Sequence, residues 1–393
     1  MKTVLSRTFA FLFVVLLSFS SLGIFNVKAQ EEDTWTTLEP MPRAISGIKA
    51  AVVNNKIYVM SGTFNYEYDP TTGNWTSKTL MPTPRVSFGI ASHQNKICVI
   101  GGDYKNPNSS AVYYLAVNEI YDPLTDTWTT KTPMPTSRID IEANVVNGKI
   151  YVIGGKAYDE ENKSYYPNYT AVNQVYDPAT NSWSTKQQAP VTIARYSSAV
   201  VDNKIYLVGG VSNELDDSSG WTSNLIYDVE SDSWSFGASI PATKYSADSG
   251  AASGTYYASA IATTGKMAPK RVYVIGGGFA ATTNVVHVYD PALNSWVSGA
   301  PMPTNRTGLA VAVVNDFVYA MGGNLGWEGG QWPLYGYSLG VTDLVEQYTP
   351  FGYGTIPKEP ESEPFPTTIV ASIVVIAVIG VGILVYFKKY KKN

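Results

Sequence analysis

One motif, read six times along the chain, constrains the fold more than any feature of composition. A β-branched and aromatic run ending in Gly-Gly or a close variant occurs as Ile57-Tyr58-Val59-Met60-Ser61-Gly62 and Ile97-Cys98-Val99-Ile100-Gly101-Gly102. It returns over 150–155, 205–210, 272–277 and 318–323. After each run comes Tyr-Asp-Pro or a relative: Tyr68-Asp69-Pro70, Tyr121-Asp122-Pro123, Tyr176-Asp177-Pro178, Tyr227-Asp228-Val229, Tyr289-Asp290-Pro291 and Tyr348-Thr349-Pro350. In the first five copies a tryptophan follows (Trp75, Trp128, Trp183, Trp234, Trp296), then a Pro-rich turn such as Met81-Pro82-Thr83-Pro84-Arg85.

The runs suit strands buried on both faces. Gly-Gly lets the chain leave a crowded strand where a side chain would clash. Asp-Pro followed by Thr, Gly or Asn is turn chemistry, which makes the third and fourth strands a hairpin. Each unit is then a four-stranded antiparallel sheet that cannot bury its two faces alone, and radial stacking of such sheets gives a β-propeller. The sixth copy lacks its tryptophan. Asp33-Thr34-Trp35-Thr36-Thr37-Leu38-Glu39-Pro40-Met41-Pro42 matches Asp126-Thr127-Trp128-Thr129-Thr130-Lys131-Thr132-Pro133-Met134-Pro135. The N-terminal strand is therefore expected to complete the last sheet and close a ring of six blades.

The Gly-Gly, Tyr-Asp-Pro, Trp and Met-Pro marks, in this order over about residues 34–350, resemble the kelch repeat family. The resemblance implies an all-β, six-bladed, kelch-type propeller.

The two ends read differently. Residues 1–29 have the form of a secretory signal: Lys2 and Arg7, an apolar run over 9–17, and Val27-Lys28-Ala29 at a plausible cleavage point. Residues 367–387 read as a transmembrane helix, uncharged over 369–387, with Lys388, Lys389, Lys391 and Lys392 behind it in a basic tail, 388–393. Between them lie the propeller, 30–350, and a Pro/Glu-rich spacer, 351–366. This order predicts a single-pass protein of the cell membrane, its propeller extracellular and its C-terminus cytoplasmic.

Composition then excludes whole classes. One cysteine and two histidines, among 393 residues, rule out a disulfide scaffold and a His/Cys zinc site. Cys98 and His93 in the second unit and His287 in the fifth do not assemble a copper centre or a catalytic triad. No cofactor or metal is expected. Seven of the 28 basic residues, and no acidic ones, lie in the two end segments, so 30–366 holds 21 basic against 32 acidic residues, a formal −11. That balance argues against nucleic acid as a partner.

Strand order places the loops. The connections between units (4→1) and the 2→3 loops emerge on one face, the 1→2 and 3→4 turns on the other. The 2→3 loops are long and aromatic, with Tyr104, Tyr113, Tyr114, Tyr158, Tyr165, Tyr166, Tyr169, Trp221, Trp327, Trp332, Tyr335 and Tyr337. Such loops suit protein or sugar recognition. Arg43, Arg85, Arg138, Arg195 and Arg306 follow the Pro turns, at 10, 8, 8, 6 and 8 residues before Val53, His93, Val146, Val201 and Val314. Even spacing on a continuous strand places them on one face. The family resemblance implies that arginines at this turn line the channel mouth and hold acidic groups; repeat-wide bracing between blades is the competing role. Candidate ligand-binding residues are these five arginines with Tyr165, Tyr166, Trp221, Trp327 and Trp332. Asn74, Asn108, Asn162, Asn168 and Asn305 begin N-glycosylation sequons.

The expected function is a non-enzymatic, cell-surface binding module for a protein or carbohydrate ligand, acting in adhesion, envelope organisation or ligand capture. The alternative is an extracytoplasmic sugar-acting enzyme resembling sialic-acid epimerase or mutarotase propellers, with Asp140, Glu142 and Asp248 near the mouth as its carboxylates.

Overall fold

The computed structural model describes residues 32–355, apart from 107, 109–110, 159–167, 213–221, 242, 245–251, 254–256, 279–281, 329–336 and 339. Six four-stranded antiparallel sheets account for the repeats among these residues. Sheet one is Lys49–Val53, Lys56–Ser61, Phe64–Asp69 and Asn74–Ser77. Sheet two is Gly89–His93, Lys96–Ile100, Asn118–Asp122 and Thr127–Lys131. Sheets three, four and five repeat the order from Ala143–Val146, Ser197–Val201 and Ser259–Ala262. Sheet six is Ala310–Val314, Phe317–Met321, Val345–Thr349 and, from the other end of the chain, Thr34–Leu38. Thr34 lies opposite Thr349 and Leu38 opposite Val345.

The period of two in each second strand divides its side chains between two neighbours. Ile57 and Val59 pack against Tyr319, Met321 and Val345 of sheet six, while Tyr58 and Met60 pack against Ile97, Val99 and Tyr121 of sheet two. The same division repeats, so the core consists of six apolar layers, each shared by two adjacent sheets. Each fully buried Val, Ile or Leu contributes about 1.5–3 kcal/mol relative to exposure. The Gly-Gly pairs allow neighbouring connections to close in. A Cβ on Gly102, at φ +94°, would sit 2.5 Å from the Val86 carbonyl oxygen.

A polar staple joins each sheet to the one before it. The tryptophan indoles of all six sheets donate to the carbonyl just beyond the preceding sheet's outer strand: Trp128 to Thr79 at 3.0 Å, Trp183 to Thr132 at 3.0 Å, Trp296 to Ala238 at 2.7 Å, Trp35 to Ala300 at 2.8 Å. Trp234 donates to Gln187, and Trp75 to Glu39 at a longer 3.4 Å. In five sheets an Asp or Asn just before the fourth strand accepts from that same residue's N–H and from the tyrosine of its own third strand. Asp126 takes Thr79 N and the Tyr121 hydroxyl; Asn181 takes Thr132 N and the Tyr176 hydroxyl. Asp232, Asn294 and Asp33 do the same in their sheets. All five adopt left-handed φ between 49° and 57°. In sheet one the position is Gly73, also left-handed at φ +71°, with no side chain to offer.

No helix among the described residues is long and apolar enough to cross a membrane. The segments read as signal (1–29) and span (367–387) lie outside the described residues. Short pairings in the 2→3 loops, such as Asp103–Lys105 with Val112–Tyr114, have no signature in the repeat.

Two outcomes follow. Gly73→Asn supplies the missing acceptor beneath Tyr68, where an added Cβ meets nothing within 4 Å. It is expected to raise the melting temperature by about 1–3 °C by calorimetry, the worth of one net hydrogen bond; an unchanged or lower value removes the staple as a stabilising element. For Asp126 and Asp232, burial disfavours the charge, but the tyrosine hydroxyls and backbone N–H donors outweigh it and hold both carboxyls below the usual range. Their contribution is present above a pH of about 4 and lost as pH falls through the lowered values. The double variant Asp126→Asn, Asp232→Asn, which keeps the acceptors, is expected to lose less stability between about pH 5 and 3 in urea titrations.

Candidate functional site

The first strands of the six sheets, rich in Ala, Val and Ser, line a common cavity of about 370 Å³. Successive first strands lie against one another, and Ala310–Val314 lies against Lys49–Val53. At the 4→1 end of this channel stand six residues of one register: Gly47, Ser87, Asp140, Arg195, Tyr257 and Gly308. All are left-handed, at φ +63°, +57°, +54°, +56°, +53° and +61°. Their backbones connect around the mouth. Gly47 N donates to Gly308 O, Asp140 N to Ser87 O, Arg195 N to Asp140 O and Gly308 N to Tyr257 O, at 2.8–3.2 Å. Such strained backbone positions concentrate where geometry is held for function.

This rim is lopsided. Two of its positions are bare glycines; the others gather a charged and aromatic cluster. Asp140 Oδ2 accepts from Arg195 Nε at 2.9 Å and lies 3.1 Å from Lys156 Nζ. The Arg195 guanidinium sits 5.1 Å from the Tyr257 ring centre, and the Lys156 ammonium 5.7 Å from that of Tyr169. Burial of Lys156 lowers its pKa against the pull of Asp140. For Arg195 burial acts the same way, but Asp140 and Tyr257 outweigh it and the pKa rises. Burial, reinforced by Asp140, pushes the Tyr257 phenol up to about 12. Asp103 is raised by burial, with a Ser87 hydrogen bond opposing. Nearer the channel, Lys49 and Glu142 form an ion pair. Gly89 shares their register in the intervening sheet, where an added Cβ would meet Ala143 and the Glu142 backbone at 3.0–3.2 Å. Together these groups set three cations, carboxylate acceptors and aromatic faces on one side of the mouth.

The five arginines do not share one environment. Arg85, Arg138 and Arg306 are at most 1% exposed. Arg85 pairs with Glu119 at 2.9 Å, and Arg306 with Glu346. Arg138 has glutamine where those two have glutamate, and donates to Gln174 Oε1 at 2.8 Å and Gly154 O at 2.7 Å. Burial lowers all three, Arg138 to about 10. These guanidinia face into their own sheets, not the mouth, and are spent on protein partners. Arg195 falls two residues later in the repeat and belongs to the rim. Arg43 falls two residues earlier and is exposed, 4.6 Å over the Phe64 ring. The left-handed rim residue interrupts the strand, so an even count of residues no longer implies a shared face.

Tyr165, Tyr166, Trp221, Trp332, Asn162 and Asp248 lie outside the described residues, as does the side chain of Trp327, whose backbone pairs with Ser338. Asn74, Asn108, Asn168 and Asn305 are exposed. Cys98 is buried, its thiol pushed up to about 12 by desolvation, and burial lowers His287. Among the described residues no group of His, Cys, Asp and Glu is arranged to hold a metal ion. Asp140 and Glu142 were legible as mouth carboxylates; Lys156 and Tyr257 were missed, because each sits at a position its counterparts in other sheets fill differently.

The KLHDC2/KLHL20/DRC7 Kelch-repeats domain family matches residues 88–323. Among curated proteins, Kelch-like protein terF of Aspergillus terreus is 30% identical over 61% of this chain and 50% of its own length. Kelch-like protein 36 of Rattus norvegicus is 24% identical over 72% of this chain and 44% of its own. The chain thus spans half or less of these relatives. The solved structure of YjhT superposes with a TM-score of 0.62 at 18% identity, over 78% of this chain and 95% of that one, a likeness of fold.

Glu119→Ala leaves the Arg85 guanidinium charged and buried without its partner. The expected cost is about 3–5 kcal/mol in chemical denaturation, as for other broken buried pairs. A loss below about 1 kcal/mol, the level of an exposed pair, contradicts the bracing role.

Proposed function

The chain belongs to the kelch-repeat family, and on that premise we propose that its six sheets are the blades of a closed propeller that serves as a binding module for a protein or glycan ligand. The ligand sits on the 4→1 and 2→3 face, over the lopsided half of the mouth. The observation that carries this reading is the Asp140–Lys156–Arg195 cluster flanked by Tyr169 and Tyr257. Aromatic faces beside fixed donors and acceptors are the usual make-up of a recognition hot spot. The six-fold repeat supplies the platform, and the four non-glycine rim residues supply chemistry that the repeat alone does not.

The same reading includes display at a cell surface, with the signal and span read from the sequence at either end. Its support is the direction in which the described chain leaves the sheets. Thr34–Leu38 runs antiparallel to Val345–Thr349, so both ends emerge on the face of the 3→4 turns, opposite the mouth. Residues 350–355 are pinned there: Tyr353 stacks on Phe317 at 4.3 Å, and Gly354 N donates to Met267 O at 2.7 Å. A membrane tether beyond Thr355 then presents the mouth outward. The formal −11 of 30–366 fits a soluble exterior domain and sets the two rim cations apart as a local positive feature.

The full chain in detergent, applied to a glycan array and to an array of extracellular protein domains, tests the proposal. Specific capture is expected to fall at least about tenfold in Arg195→Ala and Tyr257→Ala, as for hot-spot residues. It is expected to persist in Leu124→Ser on the opposite face. Equal capture by all four proteins moves the site elsewhere, and turnover of a sugar acid without stable capture replaces binding with the enzymatic alternative.

A further inference from the structure

A second cavity, of about 300 Å³, opens on the other face, where sheet five meets sheet six. It lies where the chain closes. In the other five sheets a hairpin turn joins the third and fourth strands. In sheet six those strands come from opposite ends of the chain, so Pro350-Phe351 and Glu32-Asp33 stand where a continuous turn would be. The cavity lies beside this seam.

The repeat changes character at the same place. The residue before the turn Asp/Asn is Thr125, Thr180 or Ser231 in sheets two to four, but Leu293 in sheet five. The residue after the tryptophan is Thr76, Thr129, Ser184, Ser235 and Thr36 elsewhere, but Val297 in sheet five. Both line the cavity, and both are exposed, at 73% and 59%. Phe351, also lining it, is 58% exposed. Two departures from polar to apolar at one rim, joined by an exposed aromatic, form a surface that a soluble propeller otherwise avoids.

The cavity also holds a poorly satisfied polar group. Tyr273 is 1% exposed and lines the cavity; the Arg271 and Thr263 side chains lie beside its buried hydroxyl, but no hydrogen bond of good geometry forms. An unsatisfied buried hydroxyl costs about 1–3 kcal/mol, so it calls for a partner. Beside it, Arg271 Nε stands 3.8 Å from Asp290 Oδ2, and Arg271 Nη1 donates to the Phe351 carbonyl at 3.3 Å. Asp33 is committed to Tyr348 and Ala300. An anion entering here meets Asp33 and Asp290, and a cation meets Arg271. The balanced Arg271–Asp290 pair offers donors and acceptors to a neutral ligand.

We propose that this seam cavity binds a neutral sugar ring. Hydroxyls of a pyranose exchange hydrogen bonds with the Tyr273 hydroxyl, Arg271 and Asp290, and its C–H face rests on Phe351 and Val297. The volume and the mix of apolar walls with few polar groups are those of small-molecule sites. The site is separate from the mouth and stands whether or not the mouth binds a ligand.

Calorimetric titration of the full chain with methyl β-glucoside, methyl β-galactoside, N-acetylglucosamine and cellobiose tests it, with benzoate and benzylammonium as charged controls. At least one neutral sugar is expected to saturate in the millimolar range. Tyr273→Phe, which removes only the hydroxyl, is expected to weaken that binding about tenfold. Val297→Thr, an exposed change that restores the repeat's own residue, is expected to weaken it measurably, and Arg195→Ala to leave it unchanged. Failure of every sugar to saturate overturns the proposal. So does saturation indifferent to Tyr273→Phe and Val297→Thr, loss in Arg195→Ala alone, or binding of a charged control only.

Discussion

A sheet with apolar side chains on both faces has no stable existence alone, and the rest of this molecule follows from how that is met. Each second strand sends alternate residues to opposite neighbours, so every sheet is half of two core layers. Apolar contact by itself is indifferent to small slides of one sheet on the next. The indole N–H and the Asp or Asn carbonyl oxygen remove that freedom, because each must meet one particular residue at the end of the neighbouring strand. That residue's N–H and C=O point away from its own sheet, so the staple also satisfies backbone groups that the ladder leaves over. Cohesion is therefore between nearest neighbours, as in other repeat architectures. An open stack would leave two uncovered faces, one at each end. Packing of Ala310, Tyr319 and Val345 against Ile57 and Tyr68 covers them with each other.

Much of this was legible. Val/Ile/Tyr runs, Gly-Gly, Tyr-Asp-Pro and Trp each have a local physical meaning, and six copies in one order leave little choice of architecture. The likeness of Asp33-Thr34-Trp35 to Asp126-Thr127-Trp128 even indicated which sheet the N-terminal strand joins. The arginines show where such reading stops. Periodicity along a strand carries information only while the backbone stays extended. A left-handed residue stands between Arg85, Arg138 or Arg306 and the strand that follows, and a single such residue redirects everything before it. Counting residues could not reveal this. Ser, Asp, Arg and Tyr at those rim positions give no common signal, since only glycine and, less strongly, Asn and Asp advertise φ above zero.

The buried arginines and the rim thus divide two roles that looked alike in the sequence. Where an arginine has a carboxylate two residues into the third strand, as Arg85 has Glu119 and Arg306 has Glu346, it ties the inter-blade connection to the sheet it enters. Gln174 fulfils part of that role for Arg138 with neutral oxygen acceptors around it. Arg195, displaced by two residues, escapes this interior and reaches Asp140 of the neighbouring connection. Displacement within the repeat, rather than residue type, is what separates a brace from a surface group.

The same logic orders the two places proposed to bind ligands. A repeat that is perfectly kept produces equal blades and an indifferent surface. Specific chemistry enters where the repeat is broken while its neighbours hold the backbone still. At the mouth the break is in side chains alone: the left-handed geometry recurs at Gly47, Ser87, Asp140, Arg195, Tyr257 and Gly308, and four of those positions carry groups that the two glycines lack. At the seam the break is in connectivity, since one hairpin is replaced by two chain ends, and Leu293, Val297 and Phe351 surround the gap that results. The ends are joined by strand pairing instead of a covalent turn, the cavity lies beside that junction, and the poorly satisfied Tyr273 hydroxyl lies on its wall.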